Sequence, residues 1–463
     1  MPRPLRTALL ALLAAALLAP AAHASSKQVM TFEAPGELMR DSDREPTLDE
    51  IQRFGVRRVR ALVYWRDFSA KPKSKSKPTF DTADPNAYPA GTWDLLDRLV
   101  ASIERRKMSV QLTLTGPVPR WATKKRKGRV NDPSPKLFGR WARAVATRYG
   151  DRVALWSIWN EPNHPEFLGP QYIDDKPHTP RLYRKLYVEG ERAIHGVRVG
   201  SGDKVLFGET APIGNANVVS PLRFLRGALC LNRDYEKSSG CKKLRIDGYA
   251  HHAYTRRAGP FFVSDDKDEV SIGSLGRLTA ALDEAADAGA IASNRGIYLT
   301  EFGIQSKPDP ISGVTLARQA EYTAISEKIA YANPRVKAFS QYLLYDDQPR
   351  KGVPRSERYP GFETGLRTSK GKRKPAYNAF ILPLVATRYG SRDVLWGRVR
   401  PATATTQVTI EHRIGDGKWK RLTGVQTAGV YGLGTAHRSK HRYRAKWTRP
   451  DGVTVTGPPI RAY

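Results

Sequence analysis

Short apolar runs alternate with amphipathic segments through most of the chain, the pattern of parallel strands joined by crossover helices. Eight runs qualify as strands: Gln28 to Phe32, Val56 to Tyr64, Ser109 to Thr115, Leu155 to Asn160, Val205 to Gly208, Ile246 to Tyr254, Ile297 to Thr300 and Ala338 to Tyr345. Helical periodicity fills the gaps at Trp93 to Arg105, Leu137 to Tyr149, Leu182 to His195, Leu275 to Ala288 and Leu316 to Ala332, with a last helix at Ala376 to Val385. Eight repeats predict an α/β fold of the (β/α)₈ TIM-barrel class over residues 25–388. Beyond them the texture changes to short alternating segments, Gln407 to His412, Lys418 to Leu422, Tyr443 to Trp447 and Val453 to Thr456, with a turn at Gly415-Asp416-Gly417. Residues 389–463 therefore read as a small all-β, sandwich-like domain. No internal repeat stands out.

The N-terminus carries Arg3 and Arg6, an apolar run from Ala8 to Leu18 and then Ala22-His23-Ala24, the parts of a secretory signal peptide, residues 1–24. No later segment approaches the ~20 apolar residues of a membrane span, so the expectation is a secreted monomer without stable membrane insertion. Cys230 and Cys241 stand eleven positions apart, and in an oxidising compartment they can close a short disulfide loop. Lysine and arginine number 77 against 45 acidic residues, a formal charge of +32. Part of that excess lies in the runs Lys71 to Lys77, Lys124 to Arg129 and Lys370 to Lys374, whose Pro, Ser and Gly content places them in loops. Attraction to an acidic polysaccharide or cell wall is one meaning of such charge, and solvated loops are the other. No nucleic-acid module is recognisable, so nucleic acid is not an expected partner.

Functional side chains of a (β/α)₈ barrel come from the C-terminal ends of its strands. Two carboxylates occupy that position. Glu161 ends strand four in Trp159-Asn160-Glu161-Pro162, and Glu301 ends strand seven in Leu299-Thr300-Glu301-Phe302-Gly303. Glycosidic cleavage needs such a pair, one carboxyl to protonate the leaving oxygen and one carboxylate to attack the anomeric carbon or activate water.

These motifs resemble the clan of (β/α)₈ retaining glycosidases that includes families 5 and 39, in motifs spread over roughly residues 28–385. The resemblance implies that Glu161 is the acid/base, Glu301 the nucleophile and Asn160 a contact of the sugar 2-hydroxyl. Gly55, Val59, Arg60 and Trp65 resemble the clan's strand-two pattern, in which an arginine supports the nucleophile. His252-Ala253-Tyr254 resembles its strand-six His-x-Tyr, with His252 meeting substrate and Tyr254 the nucleophile. Many members end strand eight in a tryptophan platform; this chain has Gln341-Tyr342-Leu343-Leu344-Tyr345, where Tyr342 or Tyr345 can substitute.

Other meanings compete at several positions. Glu209, ending strand five, could be a third mouth carboxylate or an arginine's partner. Arg60 follows Arg57 and Arg58 and could be one charge of a basic strand. Trp121 and Trp159 can stack on sugar rings or pack in the core, and His164 can be a subsite or loop residue. The tryptophans Trp396, Trp419 and Trp447 suit the core of the β domain better than a carbohydrate platform. His251 and His252 lack companions at metal-ligand spacing, so neither metal nor cofactor is expected. No Gly-x-Ser-x-Gly supports serine hydrolase chemistry. What stands is a retaining glycosidase acting on a carbohydrate substrate, with a catalytically idle carbohydrate- or polyanion-binding barrel as the rival.

Overall fold

A computed structural model describes residues 28–197, 203–354, 357–401 and 404–463; the expected signal segment lies outside them. The eight strands are β1 (Val29–Glu33), β2 (Arg58–Tyr64), β3 (Ser109–Thr115), β4 (Val153–Ile158), β5 (Lys204–Thr210), β6 (Gly248–His252), β7 (Gly296–Glu301) and β8 (Val336–Tyr342). They close into a parallel barrel in which β1 pairs with both β2 and β8. The following helices are α1 (Asp41–Arg53), α2 (Asp94–Arg105), α3 (Pro135–Tyr149), α4 (Thr179–His195), α5 (Pro221–Ala228), α6 (Leu275–Asp287), α7 (Leu316–Ala332) and α8 (Pro375–Ile381). No helix among the described residues is long and apolar enough to cross a membrane.

Local chemistry sets the helix starts. The Ser134 hydroxyl accepts the Leu137 N–H ahead of Pro135, and the Thr315 hydroxyl accepts that of Arg318. Pro221 and Pro375 open α5 and α8, where a missing N–H costs nothing. Helix α2 buries Leu96, Leu99, Val100 and Ile103 along one stripe, each fully buried side chain contributing about 1.5–3 kcal/mol. Two helices escaped the sequence periodicity. Helix α1 is polar along most of its length and contains Pro46, and α5 spans only eight residues.

Inside the barrel, Leu155, Leu206, Ala250, Tyr298 and Ala338 form an apolar cluster separate from the main core. Two residues further along their strands stand Ser157, Gly208, His252, Thr300 and Ser340, on the same inward face by alternation. An apolar floor thus underlies a polar upper layer, which supports the mouth.

Helix α8 ends at Ile381, before the Val385 expected, because strand β9 (Leu384–Tyr389) starts there. It pairs with β10 (Arg392–Arg398), which pairs with β13 (Val430–Ala436). A second antiparallel sheet joins β11 (Thr406–Ile414), β12 (Lys420–Thr427), β14 (His441–Thr448) and β15 (Thr454–Thr456) in the order β12-β11-β14-β15. Trp447 is buried, Trp396 packs on Tyr331 of α7, and the guanidinium groups of Arg413 and Arg444 lie over the Trp419 ring.

Buried Glu327 of α7 joins these sheets to the barrel, accepting hydrogen bonds from Arg398 at 2.8 Å and from Arg400. Lys328 donates to Thr387 at 2.6 Å beside it. Replacing Glu327 by alanine strands two cations, a loss of about 3–5 kcal/mol for a broken buried pair. The Glu327→Ala protein is expected to melt several degrees below the parent in calorimetry. An unchanged midpoint would show that this joint carries no stability.

Candidate active site

Three departures from regular strand geometry aim the mouth carboxylates. After β4 the backbone enters the left-handed region at Trp159 (φ 68°) and Glu161 (φ 39°), which costs about 1–3 kcal/mol per residue. Neighbouring groups hold it there. Leu114 O accepts the Trp159 N–H at 2.7 Å, Thr115 Oγ1 that of Asn160 at 3.0 Å, and Glu209 O that of Glu161 at 2.9 Å.

On β5 the register against β6 slips between Gly208 and Thr210, a bulge that inserts Glu209 as an extra residue. Simple alternation from Leu206 would turn Glu209 outward. The bulge, with φ of 112° at Gly208 and 51° at Glu209, turns it inward. Glycine is required at 208, since a Cβ there would lie 2.6 Å from Ala250 O. A second slip, between β6 and β7, pairs His252 with Glu301, so that both Thr300 and Glu301 reach the interior.

Arg60, buried on β2, collects these groups. Its Nη1 donates to Glu33 and, at 3.2 Å, to Glu301; Nη2 donates to Asn160 Oδ1 at 2.8 Å and Glu209 at 3.1 Å; Nε donates to Thr113 at 3.1 Å. Burial works against its charge, but Glu209, Glu33 and Glu301 together hold it above the ordinary arginine range.

His252 bridges two carboxylates, with Nδ1 2.8 Å from Glu161 and Nε2 2.8 Å from Glu209. Burial opposes its protonation, but Glu301, Glu161 and Glu209 raise it from 6.5 to about 10, so it is an imidazolium at neutral pH. Burial likewise penalises the Glu209 charge, and Arg60 and His252 outweigh it, bringing Glu209 down to about 2. Burial dominates at Glu33 and lifts it to about 7 despite Arg60. The Tyr254 hydroxyl donates to Glu301 at 2.8 Å, and burial followed by the Glu301 charge pushes its own ionisation well above 10.

Exposure separates the four carboxylates. The Glu161 and Glu301 side chains are 15% and 9% accessible, whereas those of Glu33 and Glu209 are 0%. Glu209 is therefore a buried partner of Arg60, His252 and Thr300 rather than a group that meets substrate.

Asn160, Arg60, Tyr254 and His252 converge with Glu161 and Glu301, but His252 differs from expectation: its ring is buried and both nitrogens are taken by carboxylates. Trp121, expected to contact sugar, is also buried. It packs against Trp65 and donates its indole N–H to Ala70 O at 3.1 Å, presenting no open face. Trp159 is buried against Phe138. Half-buried Tyr342 does reach the site, with its ring 6.4 Å from Tyr254 and 5.0 Å from Phe362. Glu33, Tyr64 and Phe362 also belong to the site: Glu33 ends β1 as Glu301 ends β7, and burial followed by the Glu33 charge pushes the Tyr64 phenol up. Tyr64 carried a signal, standing at the end of β2 two alternations beyond Arg60, while Phe362 sits in a loop no periodicity marks.

One oxygen each of Glu161 and Glu301 and a ring nitrogen of His252 lie within 4.8 Å of one another, a spacing that a metal ion could bridge. The donor chemistry fits poorly, because both His252 nitrogens are already hydrogen-bonded to carboxylates and Arg60 adds positive charge beside Glu301. Cys230 and Cys241 are joined as a disulfide away from these groups.

The sequence matches no protein-family model and no curated protein. Several solved structures share the fold. A family 39 glycoside hydrolase from the gut symbiont Bacteroides cellulosilyticus WH2 is 16% identical, covering 89% of this chain and 80% of its own, with a TM-score of 0.51. The GH39 enzyme from Xanthomonas axonopodis pv. citri is 17% identical over 92% of this chain and 94% of its own, TM-score 0.52. A monomeric beta-xylosidase from Caulobacter crescentus CB15 is 16% identical over 91% and 96%, also at 0.52. At such identities the likeness is one of fold: this chain has the barrel of those glycosidases.

Proposed function

We propose that the chain is a glycoside hydrolase that cleaves O-glycosidic bonds of a poly- or oligosaccharide by double displacement. Glu301 is the nucleophile and Glu161 the acid/base. The observation that carries this reading is the pair of solvent-reaching carboxylates at the barrel mouth, with oxygens within 4.8 Å. Retaining enzymes keep their two carboxyls about 5–5.5 Å apart, whereas inverting ones need about 6.5–9.5 Å to admit water.

In the first step a Glu301 oxygen bonds to the anomeric carbon as the glycosidic bond breaks, and Glu161 gives its proton to the departing oxygen. In the second, Glu161 takes a proton from water, whose oxygen displaces Glu301. Arg60 and Tyr254, each bonded to a different Glu301 oxygen, fix the nucleophile's orientation. Asn160 spends its carbonyl oxygen on Arg60, which leaves its amide N–H groups for a sugar hydroxyl. The left-handed backbone at Trp159 and Glu161 is strain of the kind that collects at functional sites, and it aims Glu161 at the mouth.

Two further assignments belong to the proposal. Residues 389–463 form an accessory sandwich-like domain to which β9 contributes from the barrel side. The chain is exported, which is supported by residues 1–24 and by a disulfide suited to an oxidising compartment. N-terminal sequencing of protein from culture medium is expected to begin after Ala24.

Glu301→Ala is expected to lower kcat on aryl glycosides by several orders of magnitude while the circular dichroism spectrum stays that of the parent. Glu161→Ala is expected to keep activity on substrates with good leaving groups and to recover turnover with azide. Undiminished hydrolysis by the Glu301→Ala protein would sink the assignment.

His252 adds a pH signature. Its folded-state value of about 10 exceeds the ordinary 6.5, so its stabilisation is complete below about pH 6.5 and lost as pH rises through 10. The stability gap between parent and His252→Gln, read from urea midpoints, is expected to be on the order of 3 kcal/mol near neutral or lower pH and to close above pH 10. A gap that is flat with pH would mean that His252 is not a buried cation.

A further inference from the structure

Away from the central carboxylates, α4 and α5 flank a groove of about 1850 Å³, closed at one side by the loop that the Cys230–Cys241 bond ties. Its lining holds nine lysines and arginines against four acidic residues. Two of the nine are spent on the protein itself: Arg226 forms a two-pronged pair with Asp268, and Arg184 donates to Ala228 O and Lys242 O. By contrast Arg181 and Lys185 on α4, Arg223 on α5, Lys176 and Lys267 in the rim loops and Arg233 in the disulfide loop are exposed. None of these six pairs with a carboxylate among the described residues.

The basic runs 71–77, 124–129 and 370–374 contribute nothing to this lining. The fold instead gathers single cations from separate segments. Arg181 and Lys185 are one helical turn apart, so their like charges repel, and the other four add to the same field. A folded chain gains nothing from crowding unpaired cations along a concavity; a bound polyanion would relieve the repulsion.

The rim points to the kind of polyanion. Lys176 lies in the loop that leaves β4 through Glu161, and Lys267 in the loop that leaves β6 just beyond His252 and Tyr254. A chain lying in the groove therefore ends beside the loop that carries Glu161 and the loop that carries Tyr254. Asp265 and Asp266 at the same rim disfavour a ligand of uniformly dense charge such as nucleic acid.

We propose that this groove is a second carbohydrate site, which holds an anionic polysaccharide, with carboxylates or sulfates along its chain, outside the barrel mouth. The polysaccharide chemistry rests on the glycosidase reading; the test reads binding, so it stands or falls independently of turnover.

Binding of polygalacturonate and of dextran sulfate to the full chain is measured by titration calorimetry at low and physiological salt, with neutral dextran and double-stranded DNA as comparisons. The triple variant Arg181→Glu, Lys185→Glu, Arg223→Glu is expected to weaken binding of at least one acidic polysaccharide more than tenfold. The control triple Lys73→Glu, Lys75→Glu, Lys77→Glu, with the same change in net charge, is expected to alter it less than twofold. Alanine at the same three groove positions is expected to shift affinity in the same direction by a smaller factor, which guards against misfolding of the reversed-charge protein. The stronger of the two responses, to polygalacturonate or to dextran sulfate, identifies carboxylate or sulfate as the recognised group. Equal weakening in both triples would reduce the effect to net charge and overturn the site, as would unchanged binding in the groove triple. Tighter, groove-dependent binding of DNA than of either acidic polysaccharide would also overturn it, in favour of nucleic acid.

Discussion

The Arg60 guanidinium is sealed inside the barrel with three carboxylates, an amide and a hydroxyl around it. A lone cation in such a place costs several kcal/mol, and it is tolerated only while its partners stay within hydrogen-bond reach. Each partner comes from a different strand: Glu33 from β1, Thr113 from β3, Asn160 from the end of β4, Glu209 from β5 and Glu301 from β7. The electrostatic requirement of one side chain thus ties five strand ends into a single geometry. It also divides the carboxylates by role. Glu33 and Glu209 are consumed as buried partners of Arg60, and only Glu161 and Glu301 keep an opening to solvent.

His252 extends this arrangement into a second cation, linking Glu209 on one side to Glu161 on the other. The two carboxylates that face the mouth therefore share buried scaffolding. A displacement at Glu209 would reach Glu301 through Arg60 and Glu161 through His252. The polypeptide meets that need with backbone conformations that side-chain choice alone does not supply, namely the bulges at Gly208–Glu209 and before Glu301 and the left-handed turn at Trp159 and Glu161.

This explains what was legible in the sequence. Strand and helix periodicity locates all eight barrel strands, because burial on both faces imposes apolar runs between the amphipathic helices. Helix α5 escapes since eight residues hold barely two turns, and α1 because its polar residues obscure the stripe. Strand β10 is missed although it is the central strand of its sheet and alternates in burial, because its buried positions are Asp393, Leu395 and Gly397 rather than an apolar series. At the site, Glu161 and Glu301 announce themselves by ending apolar strands. Glu33 does the same but stands in no motif. Glu209 is legible as a mouth carboxylate or an arginine's partner, and the structure gives the second; what the sequence does not mark is the one-residue bulge that turns it inward against simple alternation. His252 was expected to face substrate by that same alternation, which gives the correct side of the strand but says nothing of which neighbours fill the space. Trp121 shows the complementary limit: an aromatic near a strand end is drawn into the core where Trp65 and the Ala70 carbonyl receive it.

Charge follows a similar division between what is local in sequence and what the fold assembles. The Lys370 to Lys374 run looks uniformly solvated, yet Lys374 is buried, with its ammonium 2.6 Å from Asp346 and 3.0 Å from the Ser306 hydroxyl. Burial makes such a cation costly, and the loops bearing Ser306, Asp346 and Glu363 must close around it, which fixes them beside the barrel mouth. Conversely, the groove between α4 and α5 draws its cations from positions with no run between them. A net charge of +32 thus contains two physically distinct populations, cations whose partners are internal and organise the fold, and cations left without partners on the surface. Only the second population is available to an anionic ligand, and its placement is decided by helix packing rather than by composition.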